Sequence, residues 1–209
     1  MGSVDTRALS FVHRYEAGTE PSGAALLLLH GTGGDENDLL PLGRAVAPGR
    51  ALLAPRGKVL EGGMARFFRR LAEGVFDEDD VRRRAGELAR FITEAGAVHK
   101  LGSPVALGFS NGANIAAAIL LLHPEALSGA ILIRAMAPLR EAPPADLGGK
   151  PVLLLTGAMD GMAGPGKAAL LAGMLESAGA EVSHQIVAAG HGLVEADIEH
   201  ARRWLERVQ

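Results

Sequence analysis

Gly108-Phe109-Ser110-Asn111-Gly112 satisfies the pattern G-x-S-x-G, directly after an apolar run, Val105 to Phe109, and before a second, Asn114 to Leu122. A chain that turns sharply from strand to helix needs residues without Cβ around the turn, and such a turn lifts the serine hydroxyl clear of the sheet. The helix N-terminus beneath it favours developing negative charge. A serine hydroxyl becomes a useful nucleophile only when a base takes its proton, so an imidazole and an orienting carboxylate are expected further along the chain. Asp160, in Gly157-Ala158-Met159-Asp160, and His191, in Ala189-Gly190-His191-Gly192, stand in that order. Asp160 comes just after the apolar run Val152 to Thr156, and His191 after Val182 to Val187. All three side chains are therefore expected at the carboxyl edge of one sheet, where open α/β folds hold their sites. Such a set attacks carboxylic esters or thioesters through a covalent acyl-serine.

A second segment bears on the same chemistry. The leucines ending at Leu29 run into His30-Gly31-Thr32-Gly33-Gly34, a loop that can present backbone N–H groups to an oxyanion. A phosphate loop is the competing reading, but G-x-G-x-x-G fails at Glu36 and no Gly-Lys-[Ser/Thr] occurs. His13, His30, His99, His123, His184 and His200 fall in strands, helices or helix ends, without a loop position like that of His191. Leu60 to Phe76 holds Phe67, Phe68 and Phe76 with Met64, Leu71 and Val75, and reads as part of an acyl pocket or lid, or else as a buried loop or short helix. Arg66, Arg69 and Arg70 interleave with these residues, either to attract a carboxylate or phosphate of the substrate or as a solvated face.

The elements that must position these groups follow from hydrophobic period. Apolar runs at Ala25 to Leu29, Ala51 to Ala54, Val105 to Phe109, Ala130 to Ile133 and Val152 to Thr156 read as buried strands. Val182 to Val187 adds a last strand and Leu9 to Tyr15 an antiparallel edge. Between them lie helical patterns: Asp77 to Ala97, Asn114 to Leu122, Lys167 to Ser177 and Val194 to Arg207. The acidic run Asp77 to Asp80 suits a helix start better than a metal site. Arg140 to Gly149, with Pro143 and Pro144, reads as a loop. Strands alternating with helices predict an α/β fold with a mostly parallel sheet of about seven strands.

Composition narrows the function classes. With 209 residues the chain is read as one domain, residues 1–209. Twenty-one basic residues against 24 acidic ones give a net charge of -3, which removes the footprint of a nucleic-acid binder. No cysteine is present, so disulfides, Cys-ligated zinc and a Cys nucleophile are excluded, and neither metal nor cofactor is expected. Glycine, at 28 residues, is roughly twice its usual ~7% share, which suits tight turns and close helix-to-strand contacts. Met1 to Ser10 lacks the apolar core of a secretory signal, so a cytoplasmic location is expected; Met1, Gly2 and Thr6 match a loose myristoylation pattern that an ordinary initiator region also satisfies. Leu101 to Pro124 is uncharged but interrupted by Pro104, Gly108, Ser110, Asn111, Gly112 and Asn114, so no membrane span is expected.

With these residues assembled, the chain resembles the carboxylesterase/phospholipase branch of the α/β-hydrolase superfamily, which includes acyl-protein thioesterases. The resemblance rests on Leu29 to Gly34, Gly108 to Gly112, Asp160 and Gly190-His191-Gly192, with Ala54-Pro55-Arg56-Gly57 as a further family-like segment. It implies an α/β-hydrolase fold with minimal or no cap domain. It also implies Ser110 as nucleophile, His191 as general base then acid, Asp160 as its partner, and the N–H groups of Thr32 and Asn111 as the oxyanion hole. Met64, Arg66, Phe67, Phe68 and Phe76 are the candidates for the substrate pocket. The expected partner is a small-molecule ester or thioester, with a homodimer left open. Two departures stand out: Asp160-Gly161-Met162-Ala163 replaces the usual apolar-Pro continuation after the acid, and a helix often found late in the fold is reduced to the loop at Arg140 to Gly149. A non-catalytic ligand-binding or sensing protein on the same fold is the alternative; its mark would be a damaged triad.

Overall fold

The structure, a computed structural model, describes residues 9–19, 24–141 and 143–208. The pattern at Met1, Gly2 and Thr6 lies outside them. In chain order the elements begin with β1 (His13–Glu16), β2 (Leu26–Leu29), α1 (Leu40–Val46), β3 (Leu52–Pro55), β4 (Val59–Glu61), β5 (Met64–Arg66), β6 (Arg70–Ala72) and β7 (Val75–Phe76). They continue with α2 (Glu78–His99), β8 (Val105–Phe109), α3 (Asn111–Leu122), a 3₁₀ turn at Pro124–Ala126, β9 (Gly129–Ile133), β10 (Pro151–Gly157), α4 (Pro165–Ser177), β11 (Glu181–Val187) and α5 (Glu195–Arg207).

Seven strands form one sheet in the order β1-β3-β2-β8-β9-β10-β11. Every pair is parallel except β1 with β3, the expected antiparallel edge. Four consecutive leucines make β2, and all are buried, because both faces of the sheet are covered and no polar alternation is needed. Leu27 and Leu29 pack in the core beneath α2, α3 and α4, whereas Leu26 and Leu28 belong to the core under α1 and α5. The sheet grows from β2 towards β3 and then, after α2, in the opposite direction from β8. The crevice at the carboxyl ends of β2 and β8 is thus the topological switch point where such sheets hold ligands.

The strands and long helices lie where hydrophobic period placed them, with ends moved by a few residues. The strand read at Leu9 to Tyr15 is confined to His13–Glu16. Asp77 is the N-cap of α2, its carboxylate accepting the Asp80 N–H at 3.1 Å, so the acidic run does start a helix. Helix α1 has no counterpart in the sequence reading, since Pro41 and Gly43 within seven residues look like breakers. Pro sits in the first turn, where no N–H is missed, and Gly43 lies against Leu28, whose Cδ1 a Cβ would meet at 2.8 Å. Leu60 to Phe76 is neither a loop nor a short helix but two small antiparallel ribbons, β4 with β5 and β6 with β7. Among the described residues no regular element separates β9 from β10, and no helix is long and apolar enough to cross a membrane.

Candidate active site

Ser110 sits between the last residue of β8 and the first of α3 with φ 52° and ψ −113°, a left-handed conformation costly for a residue with a Cβ. The strain is held by neighbours: the Ser110 N–H donates to Ile133 O at 2.9 Å, and its carbonyl accepts the Asn114 N–H at 2.9 Å. The flanking glycines are there for space. A Cβ on Gly112 would stand 1.9 Å from Leu29 O, and one on Gly108 2.6 Å from Gly112 O. The elbow therefore touches the end of β2 backbone to backbone.

The Ser110 Oγ lies 2.9 Å from His191 Nε2, and His191 Nδ1 lies 2.8 Å from Asp160 Oδ2. His191 comes from the loop between β11 and α5, and Asp160 from the loop after β10. The Asp160 side chain is fully buried, whereas the His191 side chain keeps 28% of its surface. Burial alone would raise the Asp160 carboxyl, but hydrogen bonds from the Ala163 N–H, His191 and the Met162 N–H outweigh it and hold the group below its ordinary value. Oδ1 accepts the Met162 and Ala163 N–H groups at 2.8 and 3.0 Å, so the departure from the family pattern at Asp160 to Ala163 still makes a turn that holds the carboxylate.

The loop after β2 faces the elbow. The side chain of His30 is buried; its Nδ1 lies 2.6 Å from Gly31 O, and its Nε2 accepts the Gly57 N–H at 3.0 Å. Those partners require the neutral Nδ1–H tautomer, and desolvation pushes this imidazole below its ordinary value. Arg56, in the family-like segment, pairs with Glu36 across the same loop, Nη2 donating to Oε1 at 2.7 Å. Thr32 is held from the other side by Arg66, whose Nη1 donates to Thr32 Oγ1 at 2.7 Å. Among the described residues neither the Thr32 N–H nor the Asn111 N–H donates to a backbone carbonyl.

A cavity of about 380 Å³ opens beside Ser110, His191, Thr32 and Asn111. Its apolar wall is Phe76, Phe109, Met136, Met162 and Ala163, and its polar wall includes Arg66, Arg70, Glu73 and Lys167. A neighbouring cavity of about 460 Å³ shares Gly74, Phe76, Met136 and Lys167 with it and continues along Leu139, Leu170 and Met174. Three of the expected pocket residues are elsewhere. Phe67 and Phe68 are 3% and 0% exposed and belong to the core against α2 and α3, because the link between the two ribbons, where they stand, turns inward. Met64 is exposed at the tip of β5 near Gly33 and does not line the cavity. Arg66 and Phe76 do line it. Asn114, Met136, Met162 and Lys167 were not foreseen. Nor was Arg134, buried with φ 57° directly after β9; an arginine closing the apolar run Ala130 to Ile133 was the available signal. Among the described residues no group of three or more His, Cys, Asp or Glu side chains could hold a metal ion.

No protein-family model matches the chain. It is 46% identical over 194 residues to a Bacillus subtilis (strain 168) protein, MhqD, described as a hydrolase; the match covers 92% of this chain and 96% of the relative. A Bacillus cereus carboxylesterase superposes with a TM-score of 0.94 at 42% identity, over 97% of this chain and 96% of that one. A carboxylesterase from Mesorhizobium loti superposes with a TM-score of 0.91 at 35% identity, over 96% and 97% of the two chains. Arabidopsis thaliana SOBER1, at 18% identity, a TM-score of 0.78 and coverage of 88% and 98%, shares the fold.

Proposed function

The chain belongs to the α/β-hydrolase esterase family and is an ester hydrolase, and from that premise we propose that it works through Ser110, His191 and Asp160 by way of an acyl-serine. The observation that carries the reading is the line of contacts from Ser110 Oγ to His191 Nε2, 2.9 Å, and from His191 Nδ1 to Asp160, 2.8 Å. In this mechanism Nδ1–H donates to the ionised Asp160, which leaves Nε2 as the acceptor for the Ser110 proton. Ser110 Oγ then attacks the ester carbonyl. The negative charge on the carbonyl oxygen is received by the N–H groups of Thr32 and Asn111, the second at the start of α3. His191 returns the proton to the leaving alkoxide or thiolate, and a water activated by the same imidazole releases the acid.

The substrate is a small carboxylic ester or thioester. The cavity beside Ser110 takes a compact group against Phe76 and Met136, and the adjoining cavity gives a longer apolar arm a continuation past Leu170. Labelling with a fluorophosphonate probe tests the mechanism. The intact protein is expected to take up one equivalent on Ser110, and Ser110→Ala none while keeping its melting temperature. Equal labelling of both proteins would overturn the assignment. A panel of p-nitrophenyl esters of increasing acyl length, run beside a thioester, then sets the acyl and leaving-group preference.

A further inference from the structure

His191 is flanked by Gly190 and Gly192, the two residues least able to hold a loop in one conformation. The carbonyls on both sides of it nevertheless meet a single guanidinium. Arg134 Nε donates to Gly190 O at 2.9 Å, and Nη2 donates to Gly192 O at 3.1 Å. The same group makes a two-pronged ion pair with Asp197 in the first turn of α5, Nη1 to Oδ1 and Nη2 to Oδ2, both 2.9 Å. Nη1 also reaches Leu155 O of β10 at 3.4 Å. Five N–H donors thus meet five acceptors, with both side chains wholly buried. Asp197 Oδ2 in turn accepts the Val194 N–H at 2.9 Å, closing the far end of the loop. Arg134 itself is anchored by its own N–H on Leu155 O at 2.9 Å and turned inward by its left-handed backbone.

We propose that Arg134 and Asp197 form a positioning clamp for the His191 loop, setting the distance from the imidazole to Ser110 and Asp160. The inference rests on the reading of His191 as the general base. A buried ion pair adds little net stability, because desolvating two charges offsets most of their attraction. Its value here is geometric: a planar fork fixes two carbonyls that a glycine-flanked loop leaves free, and one end of it rests on the strand that leads to Asp160.

The test compares Arg134→Lys, which keeps the charge opposite Asp197 but has three donors in place of five, with the double variant Arg134→Met/Asp197→Leu, which removes both charges and leaves none orphaned. A purely structural pair would be served by either. The clamp requires kcat on a p-nitrophenyl ester to fall about a hundredfold in both, the scale on which a 1 Å misplacement acts, with KM moving less than about threefold. It also requires the low-field proton resonance of the His191 Nδ1–H to broaden. A folded double variant with kcat within about threefold of the parent and a sharp low-field proton would overturn it. His191→Ala, run in parallel, separates the two readings. Full activity there sinks the general base, whereas an inactive His191→Ala beside an undiminished double variant sinks only the clamp. Should neither clamp variant fold, the parent protein decides. The Arg134 Nε–H must then exchange with solvent as slowly as the core amides of β10, and rapid exchange beside a sharp His191 proton refutes the clamp.

Discussion

Gly112→Ala adds one methyl group at the point where the elbow meets β2. Its carbon would lie 1.9 Å from Leu29 O, 2.4 Å from Leu29 C and 2.6 Å from His30 O, all backbone atoms that no rotamer change can move aside. Ordinary Cβ contacts stay beyond about 3.0 Å, so the two chains must part by about 1 Å. Overpacking of this kind costs about 1 to 3 kcal/mol, and an obstacle made wholly of backbone puts it at the upper end. In a chain of this size about 3 kcal/mol corresponds to a melting temperature lowered by roughly 6 to 12 °C. The displacement also falls between Ser110 and Thr32, the two sides of the proposed site, so kcat/KM should drop about a hundredfold even in the folded protein. Gly173→Ala in α4 is the control, because a Cβ there meets nothing within 4 Å. It should stabilise the helix by about 0.5 to 1 kcal/mol and leave hydrolysis unchanged. Calorimetry and p-nitrophenyl acetate hydrolysis on the three proteins measure both effects. A Gly112→Ala protein that melts within about 2 °C of the parent and keeps its kcat/KM would refute the close approach.

Asp160→Asn should lower kcat by about a thousandfold or more, because an amide cannot hold the Nδ1–H tautomer or stabilise the imidazolium; a loss under tenfold in steady-state assays would count against the assignment. Below pH 6.5 the protein should lose stability. The folded-state value of His30 is lowered by burial, so the unfolded chain binds more protons there, and the contribution present above about pH 6.5 fades as pH falls. His99 and His184, also lowered by burial, add to the slope. Melting temperatures from pH 7.5 to 5 should fall more steeply for the parent than for His30→Asn, and identical slopes would contradict the account. Phe76→Ala should widen the passage between the two cavities and raise the ratio of p-nitrophenyl octanoate to acetate hydrolysis at least about tenfold, which competition kinetics would show.

The inner parallel strands were legible because each is a largely apolar run between glycines and polar turns, as β8 and β2 illustrate, whereas the edge strand β11 shows only Val182, Ile186 and Val187 among polar residues. The placement of Ser110, Asp160 and His191 was legible for a related reason: each stands within a few residues of the carboxyl end of one of these strands. What escaped depended on contacts distant in sequence. Phe67 and Phe68 have the same apolar character as Phe76, yet the first two stand on the link between the two ribbons and turn into the core, whereas the third, at the end of β7, lines the cavity. Their place is fixed by a partner 44 residues away, the Asn111 side chain, whose Oδ1 accepts the Phe67 N–H at 2.7 Å. Arg134 was hidden in the same way, since its five acceptors lie on β10, the His191 loop and α5. Helix α1 was obscured by Pro41 and Gly43, whose local message opposes the helix that packing against Leu28 maintains.

Helix α3 is buried from Asn111 to Leu121 without interruption, and Ser110 is fastened to its first turn. Its amide protons can reach solvent only when the sheet itself comes apart, so hydrogen exchange along this helix should report the free energy of global unfolding. The β6–β7 ribbon is the opposite case: Leu71, Ala72, Glu73, Gly74 and Val75 are all exposed, with little apolar area to hold them. One wall of the candidate site can therefore open at low cost while Ser110 stays fastened to the least yielding element of the molecule. Sequence drift in the ribbon can alter which esters enter without disturbing the elbow. In denaturant, selectivity between short and long esters should change well before total activity is lost.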